Sequence, residues 1–498
     1  MRAATLAAPD ARQARPASAE PGFRWADPLL LGGAVLVGLI LLGDRLLGDS
    51  DTQWHVAIGA EIWRDRGLPW TDTHSHTFAG APWIAKEWLS QLLLAGAYAA
   101  AGWPGVVAVA ALALSATLST LFGWLQRRLR ASVAFALTAL PIMFLAPHAL
   151  ARPHVFALLP LLLWTMGLVA AVERGRAPSP WLLALLALWA NLHGSFTIAY
   201  PLAGLMAAEA VLAAPSGRRM ALAWRWGLFG LASLAAGCAS PYGIRAMAVT
   251  AGLFGSGESL PFLTEWQPLV FDAIGLTALA SAAALVAALA SAPRANAARM
   301  AILLLLTALS VRHTRFLDVF ALVAPVIAAA PLLRRWPTLV PEANANGAGP
   351  RVRWTALAIL GLAAVGLAAT TRPEPAAAVT PSAALAAAQR AGVAGPLYND
   401  YDFGGFLIAR GVPTFIDGRT DQLFLQGFIS GVYRAVRAED RTAFVALLDR
   451  YRVTWALVRP TSAEARHLDG AAGWRRIHDD PVAAVYVRGG LPSGRAAP

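Results

Sequence analysis

Long apolar runs separated by short polar, arginine-bearing segments organise most of the chain. The first run, Pro28 to Leu47, is long enough to cross a bilayer, for which about 20 residues suffice. Further runs follow at 88–125, 132–147, 154–172, 181–197, 198–214, 224–240, 270–291, 300–317, 318–333 and 354–370. The pattern predicts a bundle of about eleven membrane-spanning helices. The run 88–125 is too long for one span, and its Gly102-Trp103-Pro104-Gly105 break predicts an interfacial piece followed by a helix. Beyond residue 370 the period changes. Strand-like runs at 396–398, 412–416, 453–458 and 482–488, with a helical run at 434–450, predict a small α/β domain over 371–498. The Pro-rich Thr371 to Ala378 reads as its linker. Residues 1–27 lack an apolar run and read as a disordered cytoplasmic tail, since they bury too little to offset their ordering entropy. No A-x-A cleavage site follows the first run, so it reads as an uncleaved anchor. The predicted fold is a polytopic α-helical membrane domain over 28–370 with a small exterior C-terminal α/β domain.

Composition sharpens this. Of 498 residues, 57% are hydrophobic and 14% charged, well under the about 25% charge of soluble chains. A soluble enzyme and a disordered chain are both excluded. The net charge of +12 would suit a nucleic-acid partner, but the cations form short clusters between apolar runs, so that class is excluded too. Arg127, Arg128 and Arg130; Arg174 and Arg176; Arg218 and Arg219; Arg294 and Arg299; and Arg334, Arg335, Arg351 and Arg353 fall in alternate loops. Those loops are expected to be cytoplasmic. The segments 48–87, 147–153, 191–197, 241–269 and 312–317, with the tail, then face the periplasm or exterior of a bacterial inner membrane. The single cysteine, Cys238, excludes an intramolecular disulfide and a Cys-based metal site.

Polar residues concentrated on that exterior side need a reason. The first exterior loop opens Gly48-Asp49-Ser50-Asp51-Thr52-Gln53-Trp54-His55 and closes Gly80-Ala81-Pro82-Trp83-Ile84-Ala85-Lys86-Glu87-Trp88. A carboxylate at the membrane surface is partly desolvated and suits a general base; helix capping is the plainer alternative. The length of the loop favours function, and so does Lys86. Every other one of the 41 basic residues is arginine, so Lys86 suggests a site that needs a compact point charge.

Asp after the first span, a helix with His and Gly, then Gly-x-Pro-Trp with Lys and an acidic residue resembles the GT-C superfamily of integral-membrane glycosyltransferases. That group includes protein O-mannosyltransferases, aminoarabinose transferases and the oligosaccharyltransferase catalytic subunit. Asp51-Thr-Gln-Trp-His55, Trp189-Ala-Asn191-Leu-His193-Gly194 and Asp417-Gly-Arg419 look like a set of poorly characterised bacterial members. Lys-Pro-Pro of the aminoarabinose branch is here Lys86-Glu87-Trp88, and the Trp-Trp-Asp acceptor motif is absent, so donor and acceptor classes of those branches do not carry over. The resemblance implies a polyprenyl-phosphate sugar donor, a lipid, glycan or protein acceptor, Asp51 as the catalytic acid with Asp49 beside it, and Lys86 as a phosphate ligand.

Cations at exterior span ends are placed to hold that phosphate. Arg152 and His154, with His148 nearby, flank Pro153; Arg312, His313 and Arg315 form a second cluster and His193 a third. Snorkelling to lipid headgroups competes with this reading. His55 and Glu87 complete the candidate substrate contacts. Asn191 reads as a helix–helix hydrogen bond. In the tail, Tyr398-Asn399-Asp400-Tyr401-Asp402, Gly404-Gly405 and Asp417-Gly418-Arg419 fit turn chemistry, with an acceptor groove as the alternative. Asp49, Asp51 and Glu87 could assemble a divalent-cation site, which the sequence leaves open. A transporter or flippase of an anionic lipid-linked saccharide, and an assembly subunit, are the competing functions. Ionisable residues at span ends rather than at the midplane, with no repeat, argue for the transferase.

Overall fold

The computed structural model describes residues 27–252, 266–291, 293–341 and 350–489. The expected tail at 1–26 lies outside the described residues. Helix α1 (Pro28–Leu41) starts where the Asp27 side chain accepts from the Leu29 N–H, with proline in its first turn. A short α2 (Gly43–Leu46) leads to α3 (Asp51–Asp65), which lies in the first loop. Helix α4 (Trp88–Gln126) leaves helical geometry at Ala101 and Gly102, where Gly102 takes φ +63°. Glycine tolerates that conformation, and the break falls inside the expected Gly-Trp-Pro-Gly segment.

The bundle continues through α5 (Ala131–Leu145), α6 (His154–Glu173), α7 (Trp181–Leu192), α8 (Ala199–Ala213) and α9 (Ser216–Gly237). After α10 (Ile244–Gly252) come α11 (Ala273–Ala290), α12 (Pro293–Arg312), α13 (Leu317–Arg335) and α14 (Pro350–Thr370). Among the described residues, seven segments are long and apolar enough to cross a membrane. They are Trp88–Gln126, Ala131–His148, His154–Glu173, Gly194–Ala213, Ala273–Ala290, Thr314–Arg335 and Arg351–Thr370. Seven, against the expected eleven or so, meet that length and apolarity: α1 and α7 are apolar but shorter, and α9 and α12 carry arginines along their length. Helix α13 runs through the middle of the bundle, 89% buried over its apolar window, whereas α14 is 6% buried and packs at the edge against α1.

The tail folds as α15 (Ser382–Arg390), β1 (Leu397–Asn399), α16 (Gly404–Ala409), α17 (Phe428–Arg437), α18 (Thr442–Arg450), β2 (Trp455–Val458), α19 (Ala463–Asp469), β3 (Trp474–Asp479) and β4 (Ala484–Arg488). The sheet order is β1-β2-β4-β3. Strand β1 runs parallel to β2 (Leu397 opposite Trp455), and β4 is antiparallel to both of its neighbours. Two details differ from the sequence pattern. The run 412–416 is no strand: its Thr414 makes an isolated bridge to Ser75 of the first loop. Strand β3 escapes the pattern because Trp-Arg-Arg-Ile-His-Asp has no apolar alternation and is only partly buried. The helical run 434–450 divides into α17 and α18, which the segment from Ala438 to Arg441 separates.

First loop and tail share one apolar core. Trp54, Ile58, Trp83 and Ile84 pack with Tyr398, Phe415, Ile416 and Phe424. Backbone bonds join them as well: Thr414 N–H donates to the His74 carbonyl (2.9 Å) and His76 N–H to the Thr414 carbonyl (3.0 Å). The Gln422 side chain grips the Ile84 backbone through both its amide groups, at 3.1 and 2.9 Å. The 371–378 segment is also anchored, since Ala376 N–H donates to the Leu47 carbonyl (3.2 Å).

Candidate active site

Asp49 and Asp51 sit where the chain turns from α2 into α3. Asp49 Oδ1 accepts from the Asp51 backbone N–H (2.7 Å), fixing the turn. Asp51 Oδ1 accepts from the Trp54 indole N–H (2.9 Å), three residues along the same helix. The remaining oxygens meet Arg152, from the segment before α6. Arg152 Nη2 lies 2.8 Å from Asp51 Oδ2, and Nη1 lies 3.2 Å from Asp49 Oδ2. Asp51 is only 8% exposed.

Glu87, at the start of α4, faces two imidazoles, 3.4 Å from His193 Nε2 and 3.9 Å from His55 Nε2. The Ser195 backbone N–H donates to His193 Nδ1 (3.1 Å) and the Gln91 amide to His55 Nδ1 (3.2 Å). In its neutral form, either ring would therefore carry its proton on Nε2, toward Glu87. Burial pushes the Glu87 carboxyl up to about 7, against the pull of the Lys86 ammonium. Burial also holds His55 well below the ordinary imidazole value, with Arg152, His154 and Lys86 adding to the effect. Burial would lower Lys86 as well, but Asp421, with which it forms an ion pair, and Glu87 outweigh that and raise it; Arg315 opposes them. Lys86 and Arg315 thus lie within electrostatic reach of each other.

One cavity of about 520 Å³ gathers Asp49, Asp51, His55, Lys86, Glu87, Arg152, His154, His193 and Arg315. His154 Nε2 donates to the His148 carbonyl (2.9 Å), and His148 Nδ1 lies 3.1 Å from Asp318 Oδ1. Arg315 stacks over the Trp266 ring at 4.4 Å. Two candidates lie apart. Arg312 is exposed at the end of α12, and His313 Nδ1 donates to the Trp266 carbonyl (2.7 Å); neither lines the cavity. Asn191 joins helices, accepting from the Trp88 indole (2.7 Å) and donating to the Ala239 carbonyl (2.8 Å).

The tail closes this cavity, and turn chemistry does not exhaust its motifs. Asp417 and Arg419 are 0% and 1% exposed. Arg419 grips Asp417 with two bonds of 2.8 and 2.7 Å, pairs with Asp72 of the first loop, and lies 5.2 Å over the Trp83 ring. Burial would push Asp417 up, but Arg419 outweighs it and holds the carboxyl below the usual carboxylate range. Between them Gly418 abuts Asp51, where a Cβ would overlap the carboxylate, and Gly405 abuts the Ser50 carbonyl in the same way. The same cavity is also lined by Tyr398, Asp400, Asp402, Tyr433 and Glu464. Arg459 pairs with Asp400 (3.3 Å) and Asp402 (2.7 Å), while burial pushes Asp400 up to about 6. Asp421, Gln422 and the part played by Asp72 were not visible in the sequence, because none carries a motif and each acts on a distant segment.

Among the described residues, no group of three or more His, Cys, Asp or Glu side chains is placed to hold a metal ion. Asp49 and Asp51 converge on a guanidinium and Glu87 on two imidazoles, so the three carboxylates do not form the divalent-cation set considered from sequence.

No family profile matches the chain, and no curated protein matches it. Among solved structures, the oligosaccharyltransferase of Archaeoglobus fulgidus in its apo form is similar, with TM-score 0.52 and 10% sequence identity. The match covers 87% of this chain and 69% of that one. At this identity the likeness is one of fold. The chain is mostly helical, with apolar helices of membrane-crossing length and a small C-terminal sheet, and it shares its overall fold with that structure.

Proposed function

We propose that this chain is a membrane glycosyltransferase that moves a sugar from a polyprenyl-phosphate donor to an acceptor at the exterior face. The observation that carries the reading is one cavity lined both by a fixed carboxylate, Asp51, and by two cations within electrostatic reach of each other, Lys86 and Arg315. Two half-buried cations within reach of each other repel, and an anion between them relieves the repulsion. A fold shared with an oligosaccharyltransferase supports the same class.

The chemistry follows from the charges. The acceptor hydroxyl or amide attacks the anomeric carbon, the bond from that carbon to the phosphate oxygen breaks, and Asp51 takes the acceptor proton. Polyprenyl phosphate leaves as an anion, which needs charge stabilisation more than a proton. Asp421 compensates Lys86, and the donor phosphate takes over that role on binding.

Asp51→Asn tests this. The purified variant is expected to fold and bind donor normally while losing about 10²–10⁴ in turnover, the usual worth of a general base. Near-normal glycosyl transfer would remove Asp51 from the role, and Asp49 and then Glu87 would be the next carboxylates to test.

A further inference from the structure

We infer that Arg152 is the built-in counter-cation of the Asp49–Asp51 pair and holds the position a divalent ion would otherwise fill. What this does for turnover rests on the transferase reading; the ion pair itself does not. Two carboxylates two residues apart at the head of one helix repel each other, and a largely desolvated pair needs a cation between them. A divalent ion would supply that charge through several oxygens at about 2.0–2.6 Å. Here the four carboxylate oxygens are all engaged by protein donors. Asp49 Oδ1 takes the Asp51 N–H and Asp51 Oδ1 the Trp54 indole, while the two Oδ2 atoms take the two arms of one guanidinium. A planar fork suits two oxygens on neighbouring side chains, as a compact ammonium would not.

The backbone delivers this fork. Ala151, fully buried, donates its N–H to the Leu46 carbonyl (2.7 Å), so the segment before α6 is pinned to the end of α2 beside the aspartates. Arg152 acts through Asp51, as a positioning residue. It aims Oδ2 while Trp54 aims Oδ1, and the carboxylate is left in one orientation against the Gly418 backbone.

The test measures Mn²⁺ binding to the purified full-length chain by electron paramagnetic resonance, which reads free aquo-Mn²⁺ and needs no turnover. The wild type is expected to bind no more Mn²⁺ than Asp51→Asn does. Arg152→Ala frees two carboxylates and is expected to bind Mn²⁺ about tenfold more tightly, a gain that adding Asp51→Asn removes. Arg152→Gln, neutral and closer in size, carries the same expectation should the alanine variant fail to fold, and the wild-type arm needs only the Asp51→Asn comparison. Stoichiometric, Asp51-dependent Mn²⁺ binding by the wild type would overturn the inference, and so would a folded Arg152 variant with no gain. A failed glycosyl-transfer assay, by contrast, would strike the proposed reaction and leave this result standing.

Discussion

Lys86 shows how far single residues could be read in advance. Its rarity singles it out in a chain that otherwise uses arginine, and it lines the cavity with Asp51, His55, Glu87 and His193. Its partner could not be read: Asp421 lies 335 residues away, in a stretch with no recognisable motif. Sequence neighbours misled in the opposite sense. Arg312, His313 and Arg315 look like one cluster, but the turn after α12 sends them different ways and only Arg315 reaches the cavity. Lys86→Ala and Arg315→Ala are each expected to weaken donor binding by about 1.5–3 kcal/mol, the loss of one charged hydrogen bond. Lys86→Arg should restore only part of it, because a fork does not match the ammonium's compact charge. Titration of a polyprenyl-phosphate donor onto the purified variants measures this, and unchanged affinity in both alanine variants would take the phosphate away from these residues.

At the level of elements, period and breakers carried most of the information. The Gly-Trp-Pro-Gly break in α4 was legible because glycine at positive φ and proline both interrupt a helix. Strand β3 was not, since polar side chains on a partly exposed strand erase the two-residue period. The turn between the 412–416 run and Asp421 was the hardest to read. Asp, Gly and Arg in a row fit a surface turn, yet here they form a buried ionic joint between the tail and Asp72 of the first loop. Burial of a charge is a tertiary property, and short-range turn chemistry does not contain it. Arg419→Met should therefore cost about 3–5 kcal/mol, since Asp72 and Asp417 would be left without their cation. Arg390→Met, on the exposed end of α15, should stay within about 0.5 kcal/mol. Denaturation midpoints in detergent compare the two, and equal small losses would return Asp417-Gly418-Arg419 to the status of an ordinary turn.

For the whole molecule, the arginine asymmetry read from alternate loops has a structural counterpart at one end of the bundle. There Arg128 pairs with Glu173 (3.5 Å), Arg299 with Glu209 (2.8 Å) and Arg353 with Asp27, while Arg334 donates to Asn296 (2.7 Å). These residues lie at the ends of α4, α6, α8 and α13 and at the starts of α1, α12 and α14. The opposite ends of the same helices carry Lys86, Arg152 and Arg315, the cations of the cavity, beneath the tail that follows α14. Lys86 and Arg152 at that second end are compensated by carboxylates and Arg315 lies at the cavity, so these three do not compete with the loop arginines in setting orientation. The positive-inside rule then predicts the first end in the cytoplasm and the cavity outside, where, in the proposed reaction, a lipid-linked sugar and an exterior acceptor would meet. An accessibility reporter fused after Pro498 is expected to read exterior, and one inserted after Arg219 cytoplasmic. The reverse pattern would put the cavity on the cytoplasmic face, and the exterior transfer reaction proposed for Asp51 would fall with it.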